Sequence, residues 1–259
     1  MYWATGNPYP DSNDRNRPGD NLYTNCVLAL EPATGAMKWH YQFTPHDIHD
    51  WDATEPNVLV DAKFKGQDRK LLLHADRNGY FYVLDRTNGK VLLAEKFVKR
   101  LTWSEGIGPD GRPKMLPPPS VTCPAGEATN YNSTAYSPAM RLYYVMALDS
   151  CRNKRPPAPD PPQKYLRAID IETGKIAWEN ALTGSTESKR WSGVLGTASG
   201  LLFYGSPLGD FAAVDARDGK ALWHFVTNHT IKAAPITYMV EGKQFVAIAA
   251  GSDILCFGN

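Results

Sequence analysis

The sequence predicts an all-β fold assembled from repeated antiparallel sheets. Three observations carry that expectation. Apolar runs of strand length recur along the chain, rich in β-branched and aromatic residues and bounded by turn residues. Gly and Pro are abundant, at 21 and 20, and aromatics reach 11% with 7 Trp and 13 Tyr, a composition of strands and tight turns. One short pattern repeats: an apolar pair, an acid, three variable residues, Gly, and then Trp four residues on.

The repeat justifies the elements in order. Ala29-Leu30-Glu31 leads to Gly35 and Trp39, Ala168-Ile169-Asp170 to Gly174 and Trp178, and Ala213-Val214-Asp215 to Gly219 and Trp223. A degenerate copy, Val83-Leu84-Asp85 to Gly89, has Leu93 in place of Trp. In each copy a strand enters an acid-plus-Gly turn and returns as a second strand. The acid caps turn amides, Gly supplies positive φ, and Trp packs between neighbouring sheets. Asp170 and Asp215 are 45 residues apart, the period of a β-propeller blade. Further strands are expected at Lys70–His74, Gly79–Leu84, Arg141–Ala147, Gly200–Gly205 and Phe245–Ala250. No amphipathic helix is expected. Residues 104–125 and 152–164, rich in Pro, Gly and charge, are expected to be surface insertions. Residues 1–259 are therefore expected to form one domain, a partial propeller of about four four-stranded blades.

Charge excludes several functions. The chain balances 28 basic against 27 acidic residues, a net charge of +1, so it carries no electrostatic footprint for nucleic acid or an anionic membrane. No apolar run approaches the roughly 20 residues of a membrane span. No export signal opens the sequence. Together with the repeat count, this leads to the expectation that the chain is the C-terminal part of a longer protein rather than a cytoplasmic one. The four cysteines, Cys26, Cys123, Cys151 and Cys256, form no C-x-x-C pair and no haem-attachment motif. Arithmetic alone leaves them as four buried thiols.

The segment His46-Asp47-Ile48-His49-Asp50-Trp51-Asp52 packs three carboxylates and two imidazoles into seven residues. Taken alone it fits a solvated polar loop, an irregular metal loop, or a catalytic carboxylate. Its context narrows the choice. Thr5-Gly6-Asn7-Pro8, Arg17-Pro18-Gly19-Asp20-Asn21-Leu22-Tyr23, Thr44-Pro45-His46-Asp47 with Asp50, and Asp76-Arg77-Asn78-Gly79 follow one another in the order and spacing of a known family. The whole chain resembles the C-terminal half of the pyrroloquinoline quinone (PQQ)-dependent alcohol dehydrogenases of the methanol/ethanol type.

That resemblance implies about half of an eight-bladed propeller with PQQ on its axis and a metal ion against the quinone. It implies oxidation of small primary alcohols, a cytochrome c-type electron acceptor, a periplasmic location and a missing N-terminal half; the oligomeric state is left open, with a homodimer as one option. The family's glutamate metal ligand, vicinal disulfide and PQQ-stacking Trp belong to that half. Residue by residue, it implies that Asn7 supplies an amide oxygen to the metal and that Asp50 is the general base and a metal ligand. Arg77 contacts the quinone oxygens, and Asn130 and Trp191 (in Arg190-Trp191-Ser192-Gly193) touch the cofactor. An alignment shift of two residues makes Asp52 the base instead. Asp50-Trp51-Asp52 resembles the Asp-x-Asp of lanthanide-type members, where calcium-type members carry a small uncharged residue second. Residues i and i+2 of an extended segment share a side, so both carboxylates can face one ion, and the extra anionic oxygen suits a trivalent ion; Ca2+ is the alternative. The resemblance also implies a Cys123–Cys151 disulfide, with Cys26 and Cys256 remaining buried thiols. Two alternatives share the repeat: a non-catalytic scaffold of the outer-membrane assembly type, and a membrane-bound PQQ sugar or polyol dehydrogenase.

Overall fold

The computed structural model describes residues 1–11, 13–153, 160–186 and 191–258. Among these residues there is no helix; 22 strands form antiparallel sheets. The chain divides into two compact units. The first is Met1–Tyr131 with Leu148–Pro162 and Ile171–Lys175; the second is Asn132–Ala147, Gln163–Asp170 and Ile176–Asn259.

In the first unit, β1 (Tyr2–Ala4), β2 (Cys26–Leu30) and β3 (Met37–Gln42) make a three-stranded sheet. β4 (Val58–Phe64), β5 (Gln67–Ala75), β6 (Tyr80–Asp85) and β7 (Lys90–Lys96) make a four-stranded one. β8 (Ser104–Ile107) pairs with β9 (Pro113–Met115), and β10 (Val121–Thr122) pairs with β13 (Arg152–Asn153). The expected insertion over 104–125 is thus partly a hairpin and a ribbon. Of the one expected over 152–164, positions 154–159 lie outside the described residues.

The second unit holds two four-stranded sheets: β11 (Ala135–Ser137), β12 (Leu142–Asp149), β14 (Gln163–Asp170), β15 (Ile176–Leu182); and β16 (Val194–Gly196), β17 (Leu201–Gly205), β18 (Asp210–Asp215), β19 (Ala221–Val226). A last sheet has three strands, β20 (Ile236–Val240), β21 (Lys243–Ala250) and β22 (Asp253–Gly258). The first and last sheets therefore carry three strands where the repeat suggests four.

The contacts explain the repeat. Gly89 has φ 77°, and a Cβ there would stand 2.6 Å from Cε3 of Trp39, one copy earlier. Gly219, with φ 74°, faces Trp178 Cε3 at 2.7 Å. Gly174, with φ 72°, faces the degenerate copy: Glu95 Cβ at 2.5 Å and Leu93 Cδ2, in the Trp position, at 2.9 Å. Gly89, Gly174 and Gly219 are thus each both the left-handed corner of their own hairpin and the floor for the previous copy's Trp or Leu, while Gly35, in the first copy, faces nothing within 4 Å. The acid holds the corner: Asp85 Oδ1 accepts from the Thr87 amide at 3.0 Å, and Asp215 Oδ1 from the Arg217 amide at 2.9 Å.

Two expectations need correction. Trp39 and Trp178 are half-buried, and Trp223 is 40% exposed rather than buried between sheets. Trp223 lies on β19, an edge strand, and packs edge-on against Phe211 and Phe257; no turn glycine closes on it among the described residues. Cys26 is a buried thiol, but Cys256 is exposed because β22 is also an edge strand. Cys256 Sγ lies 2.9 Å from the Tyr238 hydroxyl.

The core of the first unit packs Val27, Phe43, Leu72, Tyr82 and Trp103 around Trp51, which has no exposed surface. Burying an aromatic of roughly 200 Å² stabilises by up to about 5 kcal/mol. The residue between Asp50 and Asp52 is therefore an anchor that fixes where the two carboxylates emerge.

Candidate functional site

The loop Thr44–Ala53 is built by Asp47. Its buried carboxylate accepts the amides of His49 and Trp51, each at 2.8 Å, and the Asn25 side-chain amide at 3.3 Å. Burial pushes the Asp47 carboxyl up, but the His49 side chain and the two amides outweigh it, leaving its pKa below the ordinary value. Asn25 Nδ2 also donates to the Trp51 carbonyl at 2.5 Å. The His49 ring stacks on Trp51 with centroids 4.0 Å apart.

The Arg17–Asn21 motif wraps the same loop. Arg17 Nη2 donates to the Asp47 carbonyl at 2.7 Å, and the His46 amide donates to the Asp20 carbonyl at 3.1 Å. Asp50 sits at the corner in the left-handed region, φ 63°, where a non-glycine residue carries backbone strain. Its side chain is exposed and accepts no hydrogen bond among the described residues. Partial burial is the largest influence on its carboxyl and raises the pKa; Arg77 opposes and Asp52 adds to the rise.

Three further segments converge on this loop within the first unit. From the Gly6-Asn7 turn, the Asn7 amide donates to Asp52 Oδ1 at 2.9 Å. A Cβ on Gly6 would come within 2.7 Å of that oxygen, so only glycine permits the approach. The β5–β6 turn presents Arg77. Asn78 locks the turn by accepting the Tyr80 amide at 3.0 Å and donating to Thr44 Oγ1 and the Tyr82 hydroxyl, both at 3.1 Å. Arg77 Nη1 then donates to the Asp50 carbonyl at 2.9 Å and to Asp52 Oδ2 at 2.6 Å, while Nη2 donates to Glu127 Oε2 at 3.1 Å. Finally, Asn130 Nδ2 donates to the same Glu127 oxygen.

Asn7, Asp50, Asp52, Arg77 and Asn130 thus form one neighbourhood. Trp191 belongs to the second unit, where it is buried with the Lys164 ammonium 4.5 Å above its ring; Arg190 beside it lies outside the described residues. The loop that carries Asn130 is tied by a disulfide, Cys123–Cys151, with Cα atoms 4.5 Å apart. The pairing implied by the resemblance is therefore present.

Two acids emerge only in three dimensions. Glu127 is 4% exposed and joins Arg77 to Asn130. Glu55, 1% exposed, points Oε1 at Arg77 Nε across 3.8 Å and Oε2 at His74 Nε2 across 3.9 Å, and neither oxygen accepts a hydrogen bond. His74 Nε2 is 3.3 Å from Asp76 Oδ2, and its Nδ1 has no hydrogen-bond partner. Burial raises both the Glu55 and Asp76 carboxyls, Glu55 well above its usual range. Neither acid sits in a motif, and spacing alone gives no signal for either.

The donor set decides what the site can hold. Asn7 Oδ1 and the Asp50 carboxylate take no hydrogen bond among the described residues, while the Asp52 carboxylate is held by the Asn7 amide on Oδ1 and by Arg77 on Oδ2. Oxygen donors of this kind fit a hard cation. Arg77 retains an unpartnered buried Nε and, with four carboxylates acting against the cost of its burial, stays charged. A guanidinium and an amide beside such a cation fit an anionic, oxygen-rich ligand.

Comparison with known proteins adds a family context. The β-propeller domain described as "Glucose/ethanol/alcohol dehydrogenase", of the PQQ type, matches residues 1–100 and 119–246. The chain is 36% identical over 290 residues to a lanthanide-dependent methanol dehydrogenase of Methylorubrum extorquens, and 34% identical over 284 residues to the quinoprotein alcohol dehydrogenase PedH of Pseudomonas putida. Each alignment covers 97% of this chain and 47% of the relative. Among solved structures, the quinohemoprotein alcohol dehydrogenase of Comamonas testosteroni superposes with a TM-score of 0.89 at 33% identity, covering 98% of this chain and 43% of that one. A europium-containing methanol dehydrogenase gives 0.84 at 30% identity, covering 95% and 48%. The chain spans about half the length of the curated relatives it matches.

Proposed function

This chain belongs to the PQQ-dependent alcohol dehydrogenase β-propeller family, and on that premise we propose that its protein oxidises small primary alcohols to aldehydes. Residues 1–259 are about half of an eight-bladed propeller in this reading. The observation that carries it is the convergence of Asn7, Asp50, Asp52 and Arg77, joined through the Asn7–Asp52 and Arg77–Asp52 hydrogen bonds at 2.9 and 2.6 Å.

Bound PQQ supplies a two-electron acceptor for the alcohol carbon's hydride, and the metal ion polarises it. The chain's own residues do the rest. Asp50, its carboxylate unpartnered and its pKa raised, takes the alcohol hydroxyl proton. Asn7 Oδ1 with the Asp50 and Asp52 carboxylates would hold the ion. A second carboxylate favours a lanthanide over Ca2+, because attraction scales with ionic charge. Arg77 would meet negative charge on the bound quinone, and Asn130 would donate a hydrogen bond to the cofactor. Electrons leave to a cytochrome c-type acceptor. The disulfide, which persists in oxidising compartments, supports a periplasmic location. A non-catalytic scaffold has no use for this charged cluster.

The test is reconstitution of the full-length protein with PQQ and either Ca2+ or La3+. Dye reduction is followed with methanol, ethanol and glucose. Turnover of the alcohols supports the reading, and turnover of glucose alone supports the sugar dehydrogenase. No turnover and no PQQ uptake contradicts both. Asp52→Ala should weaken La3+ use more than Ca2+ use; equal loss contradicts the role of Asp52.

A further inference from the structure

Arg77 and Asn130 come from different segments, the β5–β6 turn and the loop after β10, yet they share one acceptor. Glu127 Oε2 accepts from Arg77 Nη2 at 3.1 Å and from Asn130 Nδ2. We propose that Glu127 is a positioning residue for cofactor binding, fixing the Arg77 guanidinium and the Asn130 amide in one mutual orientation. The inference rests on the PQQ reading above.

Three observations carry it. First, the two segments are already joined through the backbone. The Ala128 amide donates to the Arg77 carbonyl at 2.9 Å, the Leu148 amide donates to the Ala128 carbonyl at 2.7 Å, and the Cys123–Cys151 disulfide closes the loop behind them. The Glu127 side chain is therefore not needed to bring them together; what it adds is orientation of two side chains.

Second, it completes a clamp. Arg77 Nη1 is taken by the Asp50 carbonyl and Asp52 Oδ2, and Nη2 by Glu127. The planar guanidinium is fixed at both ends, while Nε makes no hydrogen bond and faces Glu55 Oε1 at 3.8 Å. Asn130 is fixed likewise, with Oδ1 accepting the Tyr131 amide at 2.8 Å and Nδ2 on Glu127.

Third, charge matters. Glu127 is the strongest of the carboxylates that oppose the cost of burying the Arg77 charge. Without it, the Asp50 carbonyl and Asp52 Oδ2 are the remaining hydrogen-bond acceptors on Arg77. Glu127 is only 4% exposed, and a charge-assisted bond in such surroundings is worth more than one in water.

The experiment uses the full-length protein purified without cofactor, titrated with PQQ in saturating Ca2+ and followed by Trp fluorescence quenching. Glu127→Gln keeps shape and removes charge. Losing a charge-assisted hydrogen bond should weaken PQQ binding about tenfold or more. The melting temperature should stay within a few degrees and the disulfide should remain intact. Glu127→Asp, which keeps the charge, should recover part of the affinity. In an Asn130→Ala background the effect of Glu127→Gln should shrink, because the two act as one unit. Unchanged PQQ affinity in Glu127→Gln overturns the proposal, and so does simple additivity with Asn130→Ala. A Glu127→Gln protein that cannot fold overturns it too, since the role would then be structural. Failure of the unmodified protein to bind PQQ is a separate outcome and overturns the functional reading itself.

Discussion

The Asn7 amide donates to Asp52 Oδ1 at 2.9 Å, so residues 45 positions apart meet at one carboxylate oxygen. Asp52 Oδ2 accepts from Arg77 on its other side at 2.6 Å. One carboxylate thus spans the two ends of the charged cluster.

Gly6 makes the first of these contacts possible. Gly6→Ala places a methyl 2.7 Å from Asp52 Oδ1, so the carboxylate or the Gly6-Asn7 turn must move. The expected result is a folded protein whose lanthanide affinity falls about tenfold, the equivalent of one lost hydrogen bond of about 1.4 kcal/mol. Titration with Tb3+, read by luminescence, measures it.

Asp47 gives a pH signature. Its folded pKa is lowered, so its contribution to stability is present above the ordinary carboxylate range near 4 and is lost as pH falls through the folded value. Asp47→Asn should lower the melting temperature at pH 7. The gap between variant and parent should narrow progressively on acidification below about pH 4. Thermal melts of both proteins from pH 7 to pH 3 test the sign.

Much of this arrangement was legible in the sequence. The repeat identified the turns, and its physical basis is the docking of Trp39 on Gly89 and of Trp178 on Gly219. Asp50, Asp52, Arg77 and Asn7 stood out because motifs flank them. Glu127 and Glu55 did not, because their meaning comes from burial against Arg77, and burial of a single acid has no periodicity. The exposure of Trp223 and Cys256 was equally hidden: both belong to edge strands, and edge position follows from pairing rather than composition.

The disulfide should matter more for stability than for chemistry. Cys123 and Cys151 are separated by 28 residues, and closing such a loop stabilises by about 3–4 kcal/mol in the chain-entropy model. Replacing both by Ser should lower the urea midpoint and loosen the Asn130 loop, weakening PQQ binding less than Glu127→Gln does. Paired urea melts and PQQ titrations measure both effects.

Trp39 and Gly89 form one contact seen from two sides. Gly89→Ala sets a Cβ 2.6 Å from the Trp39 ring at φ 77°, so it should destabilise by more than the roughly 1 kcal/mol of an ordinary strained Gly→Ala change. Its effect should be non-additive with Trp39→Ala, which removes the clash. A double-mutant cycle by chemical denaturation checks this.

The central claim is that Asp50 is the base of an alcohol oxidation performed beside a metal-held quinone. The direct measurement is turnover and bound PQQ in the same preparation of full-length Asp50→Asn protein. The expected result is PQQ bound near the stoichiometry of the unmodified protein and alcohol-dependent dye reduction lowered by at least about 10²-fold, the lower range for losing a general base. Turnover within a few-fold of the unmodified protein, with PQQ bound, would contradict it.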